Sequence, residues 1–213
     1  MKLRVYCVAF VFFTVLTLLG TFFYLFGESA FLFVDYSYYL LLSDGEETVE
    51  VVSVIDYDRG GAGLVYEGKS VLHYYPSFAL AKGMEEKNSA TDRNLSVKAV
   101  CLRKLSLYGK DRGKKEEIRK RLSVLDSATL LLYKIANGLE NYSMGQENAR
   151  LALSDCVTLL DCFNEEWEGR IGKKLFAMAE ECRQSLLSLE GKAVRANEVR
   201  KIGATLCLSL TSL

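Results

Sequence analysis

The chain has 213 residues, of which 27 are basic and 27 acidic, so its formal net charge at pH 7 is zero. This balance gives no overall attraction to nucleic acid. A single histidine and six cysteines, with no C-x-x-C pair, argue against zinc ribbons and other Cys/His metal sites. We therefore expect no metal, no cofactor and no nucleic-acid partner.

The N-terminal part is dominated by residues 5–27, which contain no charged residue. A helix of about 20 apolar residues spans the bilayer hydrocarbon, so this run predicts a single-pass transmembrane anchor in the cell membrane. Lys2 and Arg4 precede the run, and the first charge after it is Glu28, which places residues 1–4 in the cytoplasm and the bulk of the chain outside. A cleaved signal peptide is the alternative, although its apolar region is usually shorter, about 7 to 15 residues.

Residues 28–43 follow as a juxtamembrane segment that contains a tyrosine-rich apolar run at residues 31–42. Such a run suits either the membrane interface or a strand that enters the first domain. Residues 46–57 alternate β-branched and polar side chains with a period of two, which predicts a strand.

The glycine cluster at residues 60–63 lacks the G-x-x-x-x-G-K-[ST] spacing of a phosphate-binding loop, and strands rather than a helix are expected after it. Residues 64–66 and 70–75 flank a short connection that contains glycine, which predicts a β-hairpin.

Pro76 ends this hairpin because it has no N–H to donate. Ser77 is placed to cap a helix over residues 78–87, and residues 95–107 return to strand chemistry. Residues 44–113 are therefore predicted to form a small α+β module.

Two segments of this module resemble a divergent SPOR domain: Gly-Gly-Ala-Gly-Leu-Val-Tyr at residues 60–66, and His-Tyr-Tyr-Pro-Ser-Phe at residues 73–78. The chain also resembles membrane-anchored proteins of clostridial bacteria that carry such a module. SPOR domains are small folds of βαβ repeats that bind peptidoglycan glycan strands lacking stem peptides. The resemblance thus implies glycan binding outside the cytoplasm.

Six residues of the module are candidates for a ligand site, because sugars are held by aromatic faces together with polar donors. The alternative is that the alternate tyrosines line the core face of a sheet. The candidates are Tyr66, His73, Tyr74, Tyr75, Ser77 and Phe78.

From residue 114 onward, apolar residues recur at spacings of three and four, which predicts an antiparallel helical hairpin or bundle over residues 114–213. Ser143 and Gln146 have the spacing of a capping box. Residues 206–213 suit a short strand or a frayed helix end. A coiled-coil homodimer is the alternative to intramolecular packing. Three cysteines fall on these stripes and are expected to act as small core hydrophobes, namely Cys156, Cys182 and Cys207.

The predicted fold class is α+β: an N-terminal transmembrane helix, the SPOR-like module and the helical bundle. No catalytic residue is assigned, since every Ser–His or Cys–His arrangement would depend on His73 alone. The predicted function is a membrane-anchored, extracytoplasmic cell-envelope protein that binds peptidoglycan or a protein partner in cell division or sporulation. The alternatives are an interaction scaffold that binds its partner through the helices, and an envelope hydrolase that uses His73.

Overall fold

The structure is a computed structural model, and it describes residues 2–27, 30–44, 48–88, 94–163 and 168–213, without the side chains of residues 2–9, 23–27 and 44. Its helices are α1 Lys2–Gly27, α2 Val49–Asp58, α3 Phe78–Asn88, α4 Lys115–Glu140, α5 Gln146–Leu160, α6 Arg170–Leu187 and α7 Ala196–Thr211. Its strands are β1 Phe31–Asp44, β2 Leu64–Tyr66, β3 Lys69–Tyr75 and β4 Asn94–Ser106. Short 3-10 segments lie at Gly109–Lys114 and Asp161–Phe163.

The four strands form one sheet in the order β2-β3-β1-β4, and every neighbouring pair is antiparallel. The predicted hairpin is confirmed as β2 and β3, with Leu64 opposite Val71. The register of β1 with β3 shifts between Leu41 and Leu42, so that Val71 and Tyr74 both pack in the main core. Predicted strand 95–107 and predicted helix 78–87 are confirmed as β4 and α3, and the tyrosine-rich run is a strand.

Helices cover both faces of this sheet. On one face, Leu40 and Tyr74 pack in a continuous core with Leu122 and Leu132 of α4 and with residues of α5, α6 and α7. On the other face, a smaller core joins Leu41, Tyr75 and Ala81, the last of which belongs to α3. The sheet is therefore packed against long helices on one side and mainly against the short α3 on the other.

The apolar stripes predicted after residue 114 are buried in this larger core. The three cysteines of the stripes, Cys156, Cys182 and Cys207, are buried and free, as expected for small core hydrophobes. Two tyrosine hydroxyls also join the sheet to α4: Tyr38 donates to the Asp126 carboxylate, and Tyr74 donates to the Thr129 carbonyl over 3.0 Å.

The predicted transmembrane anchor is corrected by the structure. Among the residues that the structure describes, none of the helices has the length and apolar character needed to span a bilayer. The fold class is a mixed helix and sheet fold without the predicted anchor, and the predicted single-pass location in the cell membrane is wrong.

The strand predicted over residues 46–57 is also wrong, since this segment contains helix α2, with residues 45–47 outside the described part. Val52 and Asp56, four residues apart, are buried, while Val51 and Val54 are exposed. A helical burial pattern has therefore prevailed over the β propensity of the valines, because propensity is weak beside tertiary packing.

Two smaller expectations concern helix ends. The capping box is wrong: α5 begins after Gly145 without a side-chain cap, and the Gln146 side chain instead exchanges hydrogen bonds of 2.9 and 2.8 Å with the Val194 backbone. The Ser77 cap is confirmed, because its hydroxyl accepts the Leu80 N–H over 3.3 Å. Of the two alternatives for residues 206–213, the helix is correct, since α7 continues to Thr211.

Candidate functional site

A cleft of about 300 Å³ lies beside the α3-covered face of the sheet. One wall is apolar and consists of Leu41, Leu72, Met84 and Leu95. The opposite end is charged, because the glycine loop after α2, the end of α4 and the start of α7 meet there; its charged residues are Asp56, Arg59, Glu140 and Arg200. An apolar wall with a few convergent polar groups is the usual make-up of a small-molecule site.

Arg200 is the largest fully buried side chain of the described residues, with 1% of its surface exposed. Its Nη2 donates to Glu140 Oε2 over 2.6 Å, and its Nη1 donates to the Gly60 carbonyl. Its Nε is buried and has no hydrogen-bond partner among the residues that the structure describes. A buried cation is costly unless its donors are satisfied, so the unpartnered Nε is an uncompensated cost of burying this guanidinium.

The glycine loop brings the Gly60 carbonyl to Arg200. The Gly61 N–H donates to the Asp56 carbonyl over 2.7 Å, and a Cβ at Gly61 would lie only 2.8 Å from that same oxygen. Gly60 has φ +98, a conformation that L side chains rarely adopt. The glycines therefore serve a tight return of the chain against the end of α2, which places a carbonyl on the arginine.

Glu140 differs from Arg200 in exposure. Its side chain is 47% exposed, whereas that of Arg200 is 2% exposed. The partner of the buried arginine is therefore a carboxylate at the rim of the cleft, where water can solvate it if the pair separates. Together with Asp56 and Arg59, the charged end holds two cations and two carboxylates.

His73 lies in the same cleft and is buried. Its Nδ1 is 2.8 Å from the Tyr74 carbonyl, which only accepts, so Nδ1 carries the proton and Nε2 is unprotonated. Burial, and after it the positive charge of Arg200, lower the pKa of His73 from 6.5 to about 3. The imidazole is therefore neutral near pH 7 and is too weak a base for general base catalysis at that pH.

Aromatic rings surround this imidazole. The Tyr75 ring stacks on His73 with centroids 4.4 Å apart, and the edge of Tyr133 approaches both rings at 5.8 and 6.0 Å. Burial raises the pKa of the Tyr75 hydroxyl, so this group remains neutral. These ring contacts hold His73 and Tyr75 in place along the cleft.

The structure brings two of the six predicted site residues, His73 and Tyr75, into the cleft. Tyr74 points the other way and is wholly buried against α4. Tyr66 is half-buried and packs at the edge of the main core. Ser77 caps α3, and Phe78 is 54% exposed with its ring against Tyr39.

Sequence reasoning missed the charged residues of the cleft. Arg200 is separated from Gly60 by 140 residues and from Glu140 by 60, so no local motif links them. One signal was available: Arg200 stands four residues before Ala204 and seven before Cys207 on the buried face of α7. A charged residue on an otherwise apolar face indicates a buried polar contact, although it does not identify the partner.

Larger clefts lie between the helices. The cleft between α6 and α7 has a volume of about 370 Å³, but its charged residues, Glu181, Glu198 and Lys201, are not buried. Within the described part of the chain, no group of three or more His, Cys, Asp or Glu side chains is placed to hold a metal ion. The cleft at Arg200 is therefore the candidate site, because it combines a buried charge with an apolar wall.

Comparison of the chain with protein-family models, with curated proteins and with solved structures finds no match in any of the three.

Proposed function

We propose that the protein binds, without catalysing a reaction, a small ligand that carries a carboxylate on an apolar body. The observation that carries this proposal is the buried Arg200 guanidinium at the charged end of the cleft, with its Nε unfilled among the described residues. Guanidinium groups are suited to carboxylates because two parallel N–H donors match the two oxygens.

Binding would proceed by exchange of carboxylates. Glu140 already occupies Nη2 of Arg200, but it is half exposed and loses little when it turns into water. A ligand carboxylate that takes its place can reach Nη2 and the unfilled Nε together, since these two donors lie on one side of the guanidinium. The ligand then gains a two-point contact at the cost of a one-point contact.

The apolar wall selects the rest of the ligand. Leu41, Leu72, Met84 and Leu95 offer no hydrogen-bonding side chains to sugar hydroxyls, whereas they can bury an aliphatic or aromatic body. The neutral His73 with its weakly basic Nε2 supports binding rather than acid–base catalysis. Peptidoglycan binding, which the SPOR resemblance implies, stays a prediction.

The test is calorimetric titration of the full-length protein with octanoate, with octanol as the neutral match and with N-acetylmuramic acid as a sugar acid. We expect octanoate to bind at least tenfold more tightly than either of the others. Glu140→Gln should raise the affinity for octanoate severalfold, because the competing carboxylate is removed while the fold is retained. Arg200→Gln should abolish binding.

Equal binding of octanoate and octanol would contradict the proposal, as would an unchanged affinity in Glu140→Gln. Preference for N-acetylmuramic acid would instead favour the glycan prediction. Glu140→Gln is expected to bind more tightly than the wild type, so it tests the proposal even if Arg200→Gln does not fold.

A further inference from the structure

Strand β4 forms an edge of the sheet. It pairs with β1 from Asp44↔Asn94 to Phe31↔Ser106, and it is the last strand in the sheet order of the described residues. An edge strand of 13 residues presents a row of backbone N–H and C=O groups that a further strand can pair with. Leu95 is the residue of β4 that also lines the Arg200 cleft.

The exposed side chains of β4 are strongly basic. Lys98, Arg103 and Lys104 are exposed, and the strand contains no acidic residue. Lys98 forms an ion pair with Glu67 at 3.2 Å, but both side chains are about half exposed, so water screens that pair. The edge therefore carries a net positive charge along most of its length.

An apolar surface adjoins these cations. Phe33 of β1 pairs with Lys104 and is 65% exposed. The Lys104 ammonium lies 3.7 Å from the centroid of the Phe31 ring, which fixes its position over the sheet. A strand laid against β4 would meet a positive charge beside an exposed aromatic ring.

These charges select between possible occupants. Pairing of β4 with β4 of a second copy would set the cations of residues 98–104 against the same cations, and like charges across an antiparallel pair are destabilising. Lysine on an edge strand is a common protection against self-pairing. The charges that repel a second copy attract a segment of opposite sign.

We infer that β4 is a docking edge for an extended acidic segment of a partner protein, which adds to the sheet as a fifth strand. Backbone hydrogen bonds along β4 would supply much of the affinity, and carboxylates facing Lys98, Arg103 and Lys104 would supply the selectivity. This inference is independent of the proposed carboxylate ligand.

The test uses a fluorescein-labelled decapeptide of glutamate, valine and threonine that carries glutamates on both faces of its extended form, because Lys98 and Lys104 lie on opposite faces of the sheet. Fluorescence anisotropy on the full-length protein is the readout. The charge-reversal variant Lys98→Glu/Arg103→Glu/Lys104→Glu should weaken binding at least tenfold. A matched control, Lys174→Glu/Lys192→Glu/Arg195→Glu, makes the same charge change on exposed residues of the helical region and should retain the wild-type affinity within twofold.

Two further peptides separate strand addition from simple charge attraction. Each carries N-methyl groups on alternate amides, so that one or the other edge of the peptide cannot donate hydrogen bonds. Strand addition predicts that one of these peptides binds like the parent and the other does not bind.

Three results would overturn the inference. The first is no binding of the parent peptide to the wild-type protein. The second is equal binding of both N-methylated peptides, or equal loss of affinity in the two triple variants. The third is a wild-type dimer in sedimentation that the reversal at residues 98, 103 and 104 alters, because it would assign the edge to a second copy.

Discussion

The adjacent residues Tyr74 and Tyr75 lie on opposite faces of the sheet and have different surroundings. Tyr74 is wholly buried against α4 and α7, and its hydroxyl donates to the Thr129 carbonyl. Tyr75 faces the α3 side, stacks on His73 and borders a cleft with an incompletely satisfied arginine. On the face packed against α4 and α7, the tyrosine hydroxyls thus fix helix α4 on the sheet. On the opposite face, the Arg200 Nε is without a partner among the described residues.

Polar groups on the two faces of the sheet therefore contribute differently to stability and to binding. A donor that is satisfied inside the core contributes to the fold and is not available to a ligand. A buried donor without a partner costs stability, and such costs are characteristic of functional sites. Changes on the α4 and α7 side should therefore reduce stability, and changes at the cleft should alter binding or pH dependence.

The largest effect on stability is expected from Gly203→Ala, on the face packed against α4 and α7. A Cβ at Gly203 would overlap the Tyr74 hydroxyl and lie 2.7 Å from Tyr74 Cζ. Because overpacking of a well-filled core costs about 1 to 3 kcal/mol, we expect a loss of about 3 kcal/mol in the free energy of unfolding, measured by urea denaturation. In a Tyr74→Leu background the same substitution should cost less than about 0.5 kcal/mol, since the overlapping atoms are gone. Equal costs in the two backgrounds would show that the contact is not the cause.

This contact also shows how far the sequence can predict the structure. The short glycine-containing connection predicted the hairpin that contains β3. The apolar stripes predicted α4, α5 and α6, because the period of each stripe agrees with the burial of its residues. Nothing in the spacing of Tyr74 and Gly203, 129 positions apart along the printed sequence, indicates that a hydroxyl rests on that glycine. Such pairings arise from the packing of one element on another, which a local pattern does not contain.

The cleft also contains residues that the sequence predicted and residues that it did not. His73 and Tyr75 were among the predicted site residues because aromatic faces and polar donors are typical of sugar sites. Arg200 and Glu140 were not, because their meaning depends on a loop and two helix ends that meet only in the fold. The segment that contains α2 was predicted wrongly for a related reason: its valines suit a strand, and the tertiary contacts that keep it helical are distant in sequence.

The next effect is the pH dependence that His73 adds on the cleft face. Its pKa is about 3 in the folded protein, against an ordinary value of 6.5. Between these values the unfolded state binds a proton that the folded state does not, so stability falls as the pH decreases from 6.5 toward 3. The slope is at most about 1.4 kcal/mol per pH unit, and it should amount to about 2 kcal/mol between pH 6.5 and 4.5.

Urea unfolding of the wild type and of His73→Asn at several pH values isolates this contribution. Asparagine can keep the donor to the Tyr74 carbonyl but does not titrate, and the carboxylates common to both proteins cancel in the difference. We expect the variant to have the shallower pH dependence by the stated amount. Parallel curves for the two proteins would mean that the imidazole is protonated in the folded state over this range.

The smallest pair of effects compares the two faces directly. The Tyr38 hydroxyl donates to the Asp126 carboxylate. Burial raises the pKa of Asp126, and this hydrogen bond opposes part of that rise. Tyr38→Phe leaves that half-buried carboxylate without its donor, so we expect a loss of about 1.5 kcal/mol by urea unfolding, the usual range for hydrogen bonds to charged groups.

Tyr75→Phe is the matched control on the cleft face. Within the part of the chain that the structure describes, no hydrogen bond is found at the Tyr75 hydroxyl. The stacking of Tyr75 on His73 survives the substitution because the ring is unchanged. The expected loss is below about 0.5 kcal/mol, within the range of neutral substitutions. If instead Tyr75→Phe costs as much as Tyr38→Phe, the hydroxyl of Tyr75 has a stabilising partner, and the α3-covered face is as fully satisfied as the other. In that case the contrast between the two faces would lose its support, and the unpartnered Arg200 Nε would no longer mark the α3-covered face as a ligand site.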